Sequence, residues 1–202
     1  MTEGILLIIS GPSGVGKGTV CRHLLTMRTS LKLSVSTTTR PPRPGEREGI
    51  EYNFISLTEF KAMIEVGAFL EWAVVHGHYY GTPLAAINST LANGEDLILE
   101  IDVQGANQVR EKTSDSVSIF MAPPSMEALE ERITGRGTES AVKINRRLIT
   151  ARCEMDAFHL YNYVVINDTV EKAAALGNAI LDVEKCKVSR GAQPPGWGGE
   201  KD

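Results

Sequence analysis

The 202-residue chain is predicted to fold as an α/β protein, a parallel sheet flanked by helices, and three observations predict it. Short continuous apolar runs at Gly4–Ile9, Leu97–Ile101 and Val117–Met121 mark strands buried on both faces. Stretches of helical period separate them, and strands alternating with helices require crossover connections. A Gly-rich turn, Ser10–Gly18, joins the first run to the first helix. With 42% apolar and 23% charged residues, the chain has material for one core and no disordered character overall. No internal repeat is visible.

Taken in order, Gly4–Ile9 is the first strand and Thr19–Met27 the first helix. Leu33–Ser36 follows as a strand. Thr37–Gly49, rich in Pro and Arg, is a loop, because Pro removes amide donors and disfavours helix in the residue before it. Glu51–Ile55 and Phe69–Val75 read as strands around a helix at Leu57–Val66. Tyr79–Thr82 is a short extended piece, and Pro83 suits the first turn of a helix reaching Ala92. Leu97–Ile101 is strand, Gln104–Glu111 helix and Val117–Met121 strand. Ser125 is placed to cap a helix over Met126–Thr134. Gly135–Glu139 breaks it, and Ser140–Phe158 forms a long amphipathic helix. Tyr163–Ile166 and Val170–Lys187 are the last strand and helix. Residues 189–202, polar and rich in Gly and Pro, read as a loose tail.

Net charge is −4, from 21 Lys and Arg against 25 Asp and Glu, which argues against nucleic-acid partners, since these need a basic face. No apolar run approaches the about 18 residues of a membrane span, and Met1–Ser10 lacks the basic start and cleavage site of a secretory signal. Cys21, Cys153 and Cys186 lack metal-ligand spacing and fit reduced thiols in a cytoplasm. The arginines are more informative. Eight of the 12 fall in two windows: Arg40, Arg43 and Arg47, then Arg132, Arg136, Arg146, Arg147 and Arg152. Arg presents a planar fork that grips phosphate oxygens in pairs, so two Arg-selective windows point to phosphate recognition.

Gly11, Pro12, Ser13, Gly14, Val15, Gly16, Lys17, Gly18 and Thr19 follow a buried strand and open a helix, the context a G-x-x-x-x-G-K phosphate loop requires. Glycines let the backbone curl with its N–H groups inward, and Lys17 reaches the β and γ oxygens of a nucleoside triphosphate. The hydroxyl that usually follows the Lys is displaced from Gly18 to Thr19. A Mg²⁺ ion accompanying ATP would then be held mainly by phosphates, waters and an acid at a strand end, Glu100 or Asp102.

The stretch Ser36–Phe54 (STTTRPPRPGEREGIEYNF), with Glu71-Trp72-Ala73, Tyr79-Tyr80-Gly81-Thr82 and the Gly-rich loop, resembles the guanylate kinase family, whose members move phosphate from ATP to GMP. The resemblance runs from Ile5 to about Val188. It implies a P-loop NTPase-type core (1–35, 88–126 and 157–188) carrying a GMP-binding insertion at 36–87 and a helical lid at 127–156, the tail at 189–202 lying outside. Residue by residue it implies that Arg40, Arg43, Tyr52 and Tyr80 hold the GMP phosphate. Glu71 would read guanine N1–H and N2, Ser36 and Asp102 would lie near the amino group, and Thr82 would face O6. Arg132, Arg136 and Arg147 would bridge the transferring phosphate, with Arg40 and Lys17 completing the catalytic set. Asn167 would line the adenine pocket. Tyr79 reads as a hydrophobic staple, His76 and His78 as surface loop residues, and Arg146 and Arg152 as solvent-facing. The resemblance leaves oligomeric state open.

Two other readings compete with an enzyme. A non-catalytic guanylate-kinase-like binding module would have shed loop glycines, the Lys or lid arginines, yet Gly11, Gly16, Lys17, Arg136 and Arg147 are all present. A kinase for another nucleoside monophosphate is disfavoured by Glu71 and the Ser36–Phe54 stretch.

Overall fold

The computed structural model describes residues 4–75, 77–135 and 141–194. Its centre is a five-stranded, all-parallel sheet made of β1 (Leu6–Ser10), β2 (Leu31–Leu33), β7 (Asp96–Glu100), β8 (Val117–Ala122) and β9 (Tyr163–Ile166), in the order β2-β7-β1-β8-β9. All five residues of β1 are buried, as expected of a central strand covered on both faces. Alternation then divides them. Leu7 and Ile9 face α1 (Lys17–Met27), α5 (Met126–Thr134), α6 (Ala141–Met155) and α7 (Val170–Lys185), through Leu24, Leu129, Ala151 and Leu181. Leu6 and Ile8 face α3 (Leu84–Ala92) and α4 (Val103–Lys112), through Ile87, Ala106 and Val109. Each such fully buried aliphatic side chain contributes about 1.5–3 kcal/mol of transfer free energy.

A second sheet, in the order β4-β3-β6-β5, comprises β3 (Thr37–Thr38), β4 (Asn53–Phe54), β5 (Phe69–Val75) and β6 (His78–Pro83). α2 (Leu57–Glu65) packs Phe60 beneath it, stacked on Phe69 at 4.4 Å between ring centroids. The helix starts are set locally by side chains accepting backbone N–H groups: Ser56 and Glu59 form a capping box on α2, Asp102 caps α4, Ser125 caps α5 and Thr169 caps α7.

The structure corrects the sequence reading in four places. The strand expected at Leu33–Ser36 is Leu31–Leu33, paired with β7, and the chain then crosses to the second sheet. Thr37 and Thr38, expected in a loop, are a strand, because their groups pair with both β4 and β6 ahead of Pro41. The tail does not begin loose at 189: Val188–Arg190 is a 3₁₀ turn held by Arg190, which donates to Glu184 and to Asp115. The long helix also ends sooner than expected, at Met155, passing into a 3₁₀ turn over Asp156–Leu160. Among the described residues no helix is long and apolar enough to cross a membrane.

Glu184 is buried on α7, and its carboxylate accepts from Tyr163, Lys187 and Arg190. Burial pushes this carboxyl up, but the three donors outweigh it and leave it below the usual range. Removing Arg190 withdraws one charged donor from a buried acceptor, so Arg190→Ala should cost about 1–3 kcal/mol. Urea unfolding beside Ser189→Ala, a surface control, tests this. Equal midpoints for the two variants would show the turn to be ornamental.

Candidate active site

β1 ends at Ser10 in the middle of the sheet, and the loop after it curls back over the strand ends. Gly11, with φ 141°, passes so close to β8 that a Cβ there would lie 2.2 Å from the Met121 carbonyl oxygen. Gly16, in the left-handed region at φ 98°, starts α1 with no side-chain cap, so the first amides of the helix stay available to an anion. Lys17 Nζ lies back across the loop, donating to the carbonyls of Gly11 at 2.6 Å and Pro12 at 3.3 Å. Burial lowers the Lys17 amine from its ordinary range, opposed by Glu100, Glu154 and Asp102 nearby.

The arginines of the second window are separated by the fold. Arg147 Nη2 donates to Ser13 Oγ at 3.0 Å. Arg146 and Arg152 are exposed. Arg136 lies outside the described residues. Arg132 lies against the loop, its guanidinium donating to the carbonyls of Val15 at 3.3 Å and Asn167 at 2.9 Å. Asn167 is itself buried, donating through Nδ2 to Val15 at 2.7 Å. Both line a shallow hollow of about 210 Å³ beside the loop, with Val15, Gly16, Thr19, Asp168 and Val170. Glu154 was not singled out from sequence. It stands seven residues after Arg147, on the same face of α6, and its carboxylate accepts the Ser13 N–H at 3.2 Å. The signal in the sequence was that spacing.

On the second sheet, Arg40 is buried, and its donors are spent within the chain. Nη2 binds both Glu46 oxygens, at 2.8 and 2.9 Å, Nη1 binds the Pro41 carbonyl at 2.7 Å, and Nε binds the Tyr80 hydroxyl at 3.1 Å. The Tyr52 ring lies 5.4 Å from the guanidinium and 5.8 Å from the Tyr80 ring. The structure thus joins Arg40, Tyr52 and Tyr80, and adds Glu46, given no role from sequence, whose carboxyl is held low first by Arg40 and then by the Arg43 amide. Arg43 is exposed beside them and Arg47 pairs outward with Glu51. Tyr79 packs on Phe60 and Trp72. Ser36 accepts the Asn53 amide through its carbonyl, which ties it to β4. His78 is half-buried at the start of β6, and His76 lies outside the described residues.

Glu71 is 5% exposed, and Oε1 accepts the Thr82 hydroxyl at 2.5 Å. Burial pushes its carboxyl up to about 7, Thr82 pulls it down, Asp102 raises it and Lys112 lowers it. Thr82 thus donates to Glu71, and Asp102 accepts the Gly105 amide at 2.8 Å. Gly105 is needed: a Cβ there would meet Glu71 Oε2 at 2.6 Å.

Position 18, which lacks the hydroxyl, abuts an acid: a Cβ on Gly18 would lie 3.1 Å from Glu100 Oε1. Burial raises Glu100, against Lys17 and Arg22, although its residue surface is open to solvent. Thr19 accepts from Arg22 outside the loop. Among the described residues no three acidic, His or Cys side chains converge to hold a metal unaided. The donors suit an ion carried in by phosphates, with Glu100 as one acid beside it.

Glu154 holds an amide that an anion would claim. Glu154→Gln removes a negative charge from beside the loop and should tighten ATP binding about two- to fivefold. Titration calorimetry measures it, and a weaker affinity would mean that Glu154 serves the occupied site.

Comparison with known proteins follows the same lines. The guanylate kinase family model matches residues 3–184. The chain is 53% identical over 188 residues to the guanylate kinase of Caldanaerobacter subterraneus subsp. tengcongensis, covering 93% of this chain and 91% of that one. It is 50% identical over 188 residues to that of Symbiobacterium thermophilum, covering 93% and 89%. The crystal structure of guanylate kinase from Anaplasma phagocytophilum superposes with a TM-score of 0.78 at 35% identity, covering 94% of this chain and 90% of that one. A Gly-rich loop opening a helix at Lys17, an Arg–Tyr fork and a buried carboxylate agree with these matches over nearly the whole length, which place the chain in the guanylate kinase family.

Proposed function

We propose that this chain phosphorylates GMP from ATP, releasing ADP and GDP, with each half of its cleft taking one nucleotide. The observation that carries the reading is the buried Glu71 carboxylate on the same small sheet as the Arg40–Tyr52–Tyr80 fork. A carboxylate suits the N1–H and N2 donors of guanine, and the fork suits a dianionic phosphate. Nothing favours a non-catalytic binding module. The Gly-rich loop remains intact from Gly11 to Lys17, and Arg147 reaches it.

In the reaction a phosphate oxygen of GMP forms a bond to the γ-phosphorus of ATP, and the bond to the β–γ bridging oxygen breaks. The protein supplies position and positive charge, since this chemistry needs little else. The Gly11–Thr19 backbone and the α1 N-terminus cradle the ATP phosphates. Lys17 leaves the Gly11 and Pro12 carbonyls to follow the migrating charge, and Arg40, Arg136 and Arg147 distribute over the equatorial oxygens. Arg132 and Asn167, fixed on Val15, shape the flank where the nucleoside of ATP would lie. Arg40 exchanges Glu46 for the GMP phosphate, joined by Arg43, Tyr52 and Tyr80. Asp102 and Thr82 lie beside Glu71, and with Ser36 their polar groups would complete the base site. Mg²⁺ would be held by the phosphates, waters and Glu100 or Asp102, and would supply charge neutralisation.

ADP release measured across GMP, AMP, CMP and UMP tests the assignment, and equal rates for all four would overturn it. Lys17→Met should lower kcat about 10²–10³-fold, more than it weakens GMP binding.

Glu71 should make GMP binding pH-dependent. Its carboxyl, raised to about 7 when the base site is empty, must be ionised to accept both guanine donors. Affinity should therefore rise with pH through roughly 6 to 8 and level off above, with a proton released on binding. Calorimetry at about pH 6.5 in buffers of different ionisation enthalpy counts that proton. Glu71→Gln should keep only the release belonging to the GMP phosphate, whose second pKa is about 6. Equal proton counts would place the titration elsewhere.

A further inference from the structure

β5 is an edge strand of the second sheet, paired with β6 on one side alone. Its other edge would leave backbone polar groups unpaired, yet three of them, flanking Glu71, are taken by α4. Gln108 Oε1 accepts the Trp72 N–H at 3.1 Å, and Gln108 Nε2 donates to the Trp72 carbonyl at 2.7 Å. One side-chain amide thus imitates a neighbouring strand. Lys112 Nζ donates to the Leu70 carbonyl at 2.6 Å. Leu70 sits where the β5–β6 register shifts, between Phe69 and Glu71, and such irregularities re-aim the side chain that follows. Gly105, on the same helix, allows the Glu71 carboxylate its close approach. Positions 105, 108 and 112 are spaced i, i+3 and i+7, one stripe of α4. The adjacent stripe, with Ala106 and Val109, is buried in the core against Leu6, Ile8 and Leu99.

We infer that Gln108 and Lys112 are positioning residues for base recognition: by holding Trp72 and Leu70 on either side of Glu71, α4 fixes the guanine-reading carboxylate to the rigid core. The consequence is a division within the insertion. The base is read against a fixed wall, while the fork around Arg40, on β6 and the loop after β3, has no such clamp among the described residues and is the part that adjusts to the phosphate. A hydrogen-bonded acceptor pair misplaced by a fraction of an ångström loses much of its selectivity. Substitution of the clamp should therefore be felt at the base and not at the phosphate. This inference rests on the base-reading role proposed for Glu71.

The test measures binding to the folded protein. Gln108→Ala should weaken GMP about tenfold, within the coupling expected of neighbouring residues. Affinity for ribose 5-phosphate, which carries the phosphate and no base, should stay unchanged. Lys112→Met, which keeps the aliphatic stem, should act in the same direction more weakly and guards against misfolding of the first variant. In a Glu71→Gln background Gln108→Ala should add little. Equal losses for GMP and ribose 5-phosphate, no loss for either, or a full additional loss in the double variant would each overturn the positioning role. A Glu71→Gln protein that binds GMP as the unaltered chain does would instead strike the base-reading role itself.

Discussion

Groups built to hold a charged ligand must also be satisfied before it arrives, and this constraint shapes the whole cleft. A buried cation, amide or carboxylate left without a partner costs roughly 1–3 kcal/mol or more. The chain supplies stand-ins at each point. Carbonyls of Gly11 and Pro12 hold Lys17, Glu154 holds the Ser13 amide, Glu46 holds Arg40 and Thr82 supplies a donor to Glu71. Each stand-in has the chemistry of the ligand group proposed to replace it: carboxylate for phosphate, hydroxyl donor for guanine N–H. The exchange keeps the empty protein folded without making the ligand's arrival costly.

The two sheets divide this task. The parallel sheet brings strand ends and a helix N-terminus to one edge, where fixed dipoles favour anions. The smaller sheet provides depth, burying Glu71 and setting Arg40 against the rings of Tyr52 and Tyr80. Glu100 lies electrostatically between them, acting on both Lys17 and Tyr52. The α4 helix links the halves mechanically, with one stripe in the core and the other on β5.

Local signals in the sequence reported local structure well. The capping Ser125, the apolar run of β8 and the Gly-rich loop ahead of Lys17 each carry their cause within a few residues. The Ser36–Phe54 stretch and the Tyr79–Thr82 segment identified the fork because Arg40, Tyr52 and Tyr80 belong to a recognisable pattern. Leu31–Leu33 was misjudged because its partner, β7, lies more than sixty residues away. Arg190 was misread because a Gly- and Pro-rich composition conceals one Arg that finds Asp115 and Glu184 across the fold.

By itself the sequence determined the fold class, the phosphate loop and the residue types of both nucleotide sites, because each depends on periodicity or on spacing along one segment. Only the tertiary structure decided which of those residues face one another. It paired Glu46 with Arg40, brought Glu154 to Ser13, turned Arg132 onto Val15 and Asn167, and laid Gln108 along the edge of β5. Two of these join residues more than a hundred positions apart. Such contacts leave no periodic trace, since what selects them is the need of a buried polar group for a partner, and that need exists only once packing has excluded water.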